Sequence, residues 1–306
     1  MKRTLRAIFP TEEHDPDLGF TYFGHAGRPF GAAAPAPSWH KAWWCAQLAL
    51  LAYTNEQAVV DRCLAPAGLT GQLHAAGNNQ CLLAHDGAGN AWLAFRGTEI
   101  VAPSHFNLPL SALVERFRAS GWDWLGNLNL VPVAWRHGTG RVHQGFQDGF
   151  EALATNTTWA AEVERVSHAS LWLTGHSLGG ALATLAAASP LGARAAGLYT
   201  FGSPPVGDSA FGHAVRVPHL RFVNGRDAVP RVPLGAVGFE HHGQPVERPV
   251  ESVSGLFAHV GVRDGVAGLV QFLSPGGDAL PAGFSHHAPL LYVAQCAAHL
   301  DQPLLA

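Results

Sequence analysis

Apolar positions in this chain fall into short runs separated by turn-forming residues. Between Trp39 and Tyr53, the residues Trp43, Gln47, Leu50 and Leu51 step at helical spacing, which predicts a helix. Cys81 to Ala84 and Ala91 to Phe95 are brief apolar stretches. Asp86-Gly87 and Gly89-Asn90 lie between them, so a strand, a turn and a second strand are expected. Leu171 to Thr174 is another short apolar run, ending at Gly175. Ala181 to Ala188 is an alanine-rich helical stretch stopped near Pro190, and Gly197 to Phe201 and Leu220 to Val223 are two further runs. Strands alternating with helices predict an α/β fold, with a mostly parallel central sheet and helices on both faces.

Two segments stand outside this pattern. Residues 1–38 are rich in Gly, Ala and Pro, with Pro29, Pro35 and Pro37 close together, and read as an arm on the surface. Residues 39–306 then form a single domain. Within it, Leu110, Leu113, Val114 and Phe117 fall at i, i+3, i+4 and i+7, with Ser111, Glu115, Arg116 and Arg118 on the other side. That spacing predicts an amphipathic helix.

Composition narrows the function classes. Of the 306 residues, 47% are hydrophobic and 13% charged, which allows a sizeable core and leaves a surface poor in charge. A net charge of -3 gives no basic stripe for nucleic acid. Lys2, Arg3 and Arg6 resemble the start of a signal peptide, but Ala7, Ile8 and Phe9 run into Pro10 and an acidic stretch. No run approaches the roughly 18 apolar residues of a transmembrane segment. A cytoplasmic or non-classically exported protein is therefore expected. Cys45, Cys63, Cys81 and Cys296 form no C-x-x-C pair, so free thiols are expected and no metal or redox motif is read.

The segment Gly175-His176-Ser177-Leu178-Gly179 has the G-x-S-x-G pattern, with an apolar run before it and a helix-forming run after it. That is the strand-turn-helix of a nucleophile elbow, in which glycines at 175 and 179 relieve crowding and the Ser177 hydroxyl projects above the sheet. A helix starting after Ser177 aims its free N–H groups at the reacting centre, so the Leu178 N–H is one expected oxyanion donor. A serine hydroxyl needs a base, and the base needs an orienting acid. Both should lie downstream. Asp227 lies just past the run Leu220 to Val223, at the carboxyl end of an expected strand, where open α/β sheets build their sites. Asp208 is the second choice for the acid, although it reads as the N-cap of a helix starting at Ser209. Among eight downstream histidines, His286-His287 fits a late loop bracketed by Gly283 and Pro289.

Several ordered blocks resemble the class 3 lipase family, the fungal-type triacylglycerol lipases and their bacterial relatives. They are Phe95-Arg96-Gly97-Thr98, Trp124-Leu125-Gly126-Asn127-Leu128, Val142-His143-Gln144-Gly145-Phe146, the elbow itself, Phe201-Gly202-Ser203-Pro204-Pro205-Val206-Gly207-Asp208, and Val223-Asn224-Gly225-Arg226-Asp227-Ala228-Val229-Pro230. The match spans Trp39 to Tyr292. It implies an α/β-hydrolase fold, Asp227 as the triad acid, and as base the late histidine five residues before a tyrosine. Tyr292 is five beyond His287, so the resemblance selects His287, with His286 in reserve. It implies Thr98 as the second oxyanion residue and places a lid near 99–121, where the amphipathic stretch is either a mobile cover or a docked surface helix. It makes His241-His242-Gly243-Gln244-Pro245 a hairpin block and not a metal-binding pair, and His143 a structural residue. The implied activity is hydrolysis of carboxylic esters, with acylglycerols as substrates, without metal or organic cofactor. Other esters, acyl transfer to an alcohol, and an inactive binding module are the alternatives.

Overall fold

A computed structural model describes residues 20–24, 30–31, 37–98, 131–232, 238–261, 283 and 286–304. The stretch containing Leu110, Leu113, Val114 and Phe117, and with it the expected lid at 99–121, lies outside the described residues, as does the block Trp124 to Leu128.

The first helix, α1 (Trp39–Leu51), is capped by Ser38, whose hydroxyl accepts from the Lys41 N–H at 3.2 Å. All its residues except His40 are buried, so it is a core helix and not a surface one. After α2 (Gln57–Leu64), three strands form a meander: β1 (Thr70–Ala76), β2 (Asn79–His85) and β3 (Asn90–Phe95). The expected strand-turn-strand is β2 and β3, paired antiparallel. Asp86 closes its turn by accepting from the N–H groups of Ala88 and Asn90. A short pair, β4 (Pro132–Ala134) and β5 (Arg141–His143), leads into α3 (Gln144–Ala154) and α4 (Thr157–Arg165). The rest is β6 (Ser170–His176), α5 (Leu178–Ala188), β7 (Ala195–Phe201), α6 (Ser209–Gly212), β8 (His219–Asn224), β9 (Gln244–Arg248), α7 (Val253–Ala258) and α8 (Pro289–Ala297).

Among the described residues, seven strands form one sheet in the order β1-β2-β3-β6-β7-β8-β9. The pairings are antiparallel as far as β3 and parallel from β3 onward. Period-two alternation divides the sheet between two cores. Leu82, Ala84, Trp92, Ala94 and Trp172 pack with α1 and α8. Cys81, Leu83, Leu93, Phe95, Leu171 and Leu173 pack with α3, α4 and α5. Both faces are covered, which is why the strands read as continuous apolar runs.

Two readings need correction. The described part of the N-terminal segment does not lie on the surface: Phe20, Tyr22, Phe23 and Phe30 are buried in the first core. Phe30 meets the edges of Trp92 and Trp172, with ring centroids 4.9 and 5.0 Å away. Burying a phenylalanine side chain contributes about 1.5–3 kcal/mol, so Phe20, Phe23 and Phe30 anchor residues 20–24 and 30–31 to the core. Among the described residues the block after His241-His242 is not a hairpin either: β9 pairs parallel with β8 and is the last described strand on that side of the main sheet. The four cysteines are buried.

Candidate active site

The four parallel pairings bring several carboxyl strand ends to one edge. Phe95, the last residue of β3, is in register with Gly175 of β6, which in turn pairs with Thr200 of β7. Ser177 follows β6 directly and precedes α5. Its φ of 59° and ψ of -129° put a non-glycine residue at positive φ, a strained backbone that persists only where the surroundings impose it. The Ser177 N–H donates to the Phe201 carbonyl at 2.9 Å, and its own carbonyl accepts from Gly180. The two glycines have different duties. A Cβ on Gly175 would collide with the Gly179 main chain, inside the turn. One on Gly179 would collide with the Phe95 carbonyl, the end of the neighbouring strand. Leu178 is the first residue of α5, so its N–H has no acceptor within the helix.

Asp227 is fully buried three residues past β8. Its Oδ1 accepts from the Val229 N–H at 2.9 Å, and its Oδ2 from the Tyr292 hydroxyl at 2.5 Å. His287 Nδ1 donates to the same carboxylate, 2.8 Å from Oδ2 and 3.0 Å from Oδ1. With Nδ1 as donor, Nε2 of a neutral His287 is the acceptor, and this Nε2 is buried without a hydrogen-bond partner. Gly202, at φ 58°, makes room for the pair. A Cβ there would lie 2.7 Å from Asp227 Oδ2 and 2.9 Å from His287 Nδ1.

The other histidines have different partners. His286 Nδ1 accepts the Arg226 N–H at 2.8 Å and holds the main chain beside Asp227. His143 caps α3 by accepting from the Phe146 N–H. His241 Nε2 donates to the Pro230 carbonyl and His242 Nε2 to the Gly207 carbonyl. Asp208 caps α6 through the Phe211 N–H, 2.9 Å away. Among the described residues no group of three or more His, Cys, Asp or Glu side chains could hold a metal ion.

Thr98 lies three residues past β3, and its Oγ1 is buried with no partner. A threonine hydroxyl left without a bond beside the elbow is a donor that an oxyanion can use. The geometry thus joins Asp227 with His287, and carries Ser177, Leu178 and Thr98 on adjacent strand ends of the same edge. Gly202, Tyr292, His176 and Tyr53 were not singled out as functional by the sequence. Tyr292 was visible only as a register marker, and Gly202 only as one glycine within a matching block.

Residues 93–236 match the family model for Lipase (class 3). That stretch contains Thr98, Ser177 and Asp227 and stops short of His287. The Rhizomucor miehei lipase is 37% identical over 145 residues, 43% of this chain and 40% of that protein. A secreted mono- and diacylglycerol lipase of Fusarium solani is 33% identical over 145 residues, 42% of this chain and 41% of that protein. The chain therefore spans about two fifths of the length of these curated relatives. Among solved structures, a triacylglycerol lipase whose catalytic centre is described as a serine-protease triad matches with a TM-score of 0.54. It is 26% identical and covers 72% of this chain and 83% of that one. The matched segment, the parallel sheet and the elbow agree, so over residues 93–236 the chain is similar to the class 3 lipases.

Proposed function

We propose that this protein hydrolyses carboxylic esters through an acyl-enzyme on Ser177, with acylglycerols as its substrates. The observation that carries the reading is the His287 imidazole. One nitrogen is fixed on a buried carboxylate, and the other is an unpartnered acceptor beside a strained serine elbow. In this mechanism, His287 Nε2 takes the Ser177 proton as Oγ attacks the ester carbonyl. Asp227 holds the imidazole tautomer and offsets the positive charge that develops on it. The N–H groups of Leu178 and Thr98, with the Thr98 hydroxyl, hold the oxyanion, and such a donor contributes about 10²–10³ in rate. His287 then protonates the leaving alcohol, and water releases the acid by the same steps in reverse.

The substrate class follows from the relatives, whose descriptions name triacylglycerol and mono- and diacylglycerol lipases. Insoluble acylglycerols are met at a lipid surface, so transient contact with that surface belongs to this reading. Among the described residues no helix is long and apolar enough to cross a membrane. Export fits better than a cytoplasmic site, since the Fusarium relative is described as secreted.

A fluorophosphonate probe tests the chemistry. The intact protein is expected to label and Ser177→Ala to stay unlabelled; an unlabelled intact protein overturns the reading. Emulsified triacylglycerols and a chain-length series of p-nitrophenyl esters test the substrate class. Turnover confined to short soluble esters would make the protein an esterase.

A further inference from the structure

His176 precedes the nucleophile and is buried beneath it. Its Nε2 is 2.7 Å from the main-chain carbonyl oxygen of His287. A carbonyl can only accept, so Nε2 carries the proton and Nδ1 is an acceptor. The Tyr53 hydroxyl, 2.8 Å from Nδ1, is therefore the donor. Burial keeps the Tyr53 phenol protonated far above its ordinary range, and keeps the His176 imidazole neutral far below its own. The direction of this chain of bonds is thus constant wherever a histidine base can work. The Tyr53 oxygen also takes a hydrogen bond from the Gly97 main chain. Contact there is so close that a Cβ on Gly97 would collide with the hydroxyl and lie 2.7 Å from the His176 carbonyl oxygen. The rings of His176 and His287 are in contact, tilted by 36° with centroids 4.5 Å apart.

One hydroxyl, on the segment just after α1, therefore touches two parts of the site that arrive on separate elements. One is the end of β3 that leads to Thr98. The other, through a single imidazole, is the backbone of His287, on the loop before α8. Neither Tyr53 nor His176 is needed as an acid, base or nucleophile in the reaction written above.

We propose that Tyr53 and His176 are positioning residues that tie the oxyanion strand end at Gly97-Thr98 to the main chain of the base His287, keeping both in register with Ser177. The proposal rests on the serine-hydrolase reading given above.

Tyr53→Phe removes one oxygen and keeps the ring. His176→Gln can still donate to the His287 carbonyl but offers Tyr53 no imidazole nitrogen. The values of kcat and KM for p-nitrophenyl butyrate are to be measured in the intact protein, both single variants and the double variant. Misplaced catalytic groups lose rate without losing ground-state binding. Tyr53→Phe is therefore expected to lower kcat by about 10- to 100-fold with KM held within about twofold. Since both residues act through one chain of bonds, the double variant should lose no more than the worse single one. An unchanged kcat, a KM that rises as kcat falls, or losses that multiply in the double variant overturn the coupling. Should Tyr53→Phe fail to fold, His176→Gln decides: a kcat loss at constant KM supports the proposal and an unchanged kcat defeats it. Fluorophosphonate labelling of the intact protein separates the two levels. No labelling defeats the hydrolase reading itself, whereas labelling with full kcat in Tyr53→Phe defeats only the coupling.

Discussion

The Tyr292 hydroxyl donates to Asp227 Oδ2 while accepting the Asn224 N–H at 3.2 Å. It joins the carboxylate facing His287 to the end of β8. Burial, then the neighbouring carboxylate, pushes the phenol far above its ordinary range, so Tyr292 keeps its proton and remains a donor. With Val229, Tyr292 and His287 as donors, both oxygens of a fully buried charge are satisfied.

Tyr292→Phe leaves one lone pair of Asp227 without a donor. Hydrogen bonds to charged groups contribute about 1.5–3 kcal/mol, and the unfolding free energy in urea is expected to fall by about that much. An imidazole held by a less firmly placed carboxylate should also turn over more slowly, so kcat on a soluble ester should drop. Unchanged stability and kcat would show that the third donor is dispensable.

Gly202→Ala strikes the same pair from the other side. The new methyl group would press on Asp227 Oδ2 and His287 Nδ1, and the backbone there sits at positive φ. A displacement near 1 Å at a catalytic group can cost about 10²-fold, and kcat is expected to fall at least that far. Circular dichroism should show whether the sheet is retained. Full activity in a folded Gly202→Ala protein would mean the pair tolerates movement that the geometry forbids.

The fold was legible where patterning is strong. The runs ending in Gly175, Phe201 and Val223 became β6, β7 and β8, because strands covered on both faces are apolar throughout. Thr70 to Ala76 was not read as a strand: an edge strand holding Gly71, Gln72 and His74 has neither alternation nor β-branched density. The Gly/Ala/Pro composition of residues 1–38 hid the fact that Phe20, Tyr22, Phe23 and Phe30 reach the core, since composition averages over single anchors. Within the site, Ser177 and Asp227 followed from position relative to strands. Tyr53 and His176 could not be found this way, because their contacts span 123 and 111 residues of chain and belong to no local motif.

His286 and His287 are adjacent in sequence and separate in contact. His287→Ala removes the imidazole paired with Asp227, and loss of a triad base is expected to cost at least about 10³-fold in kcat. His286→Ala removes only the acceptor for the Arg226 N–H. That should cost about 1–3 kcal/mol of stability if the N–H stays buried, with a much smaller effect on kcat. Equal kcat losses in the two variants would return the choice of base to His286.

His219 and His241 give the protein a pH-dependent stability. His219 donates or accepts at Thr200 Oγ1, 3.0 Å away, and burial followed by Arg221 lowers it to about 3. Burial followed by Arg221 also lowers His241, to about 4. In the unfolded chain both titrate near the usual value of 6.5. Below that value the unfolded state binds protons that the folded state refuses, so stability is complete above the unfolded pKa. It is lost as pH falls toward the folded values. The slope is about 1.4 kcal/mol per pH unit for each fully shifted histidine. Urea midpoints measured between about pH 7 and about pH 5 should fall steadily. His219→Gln, which keeps a side-chain partner for Thr200 but does not titrate, should flatten that fall by up to one histidine's share even if it lowers stability at every pH. An equally steep fall in His219→Gln would assign the acid sensitivity to other groups.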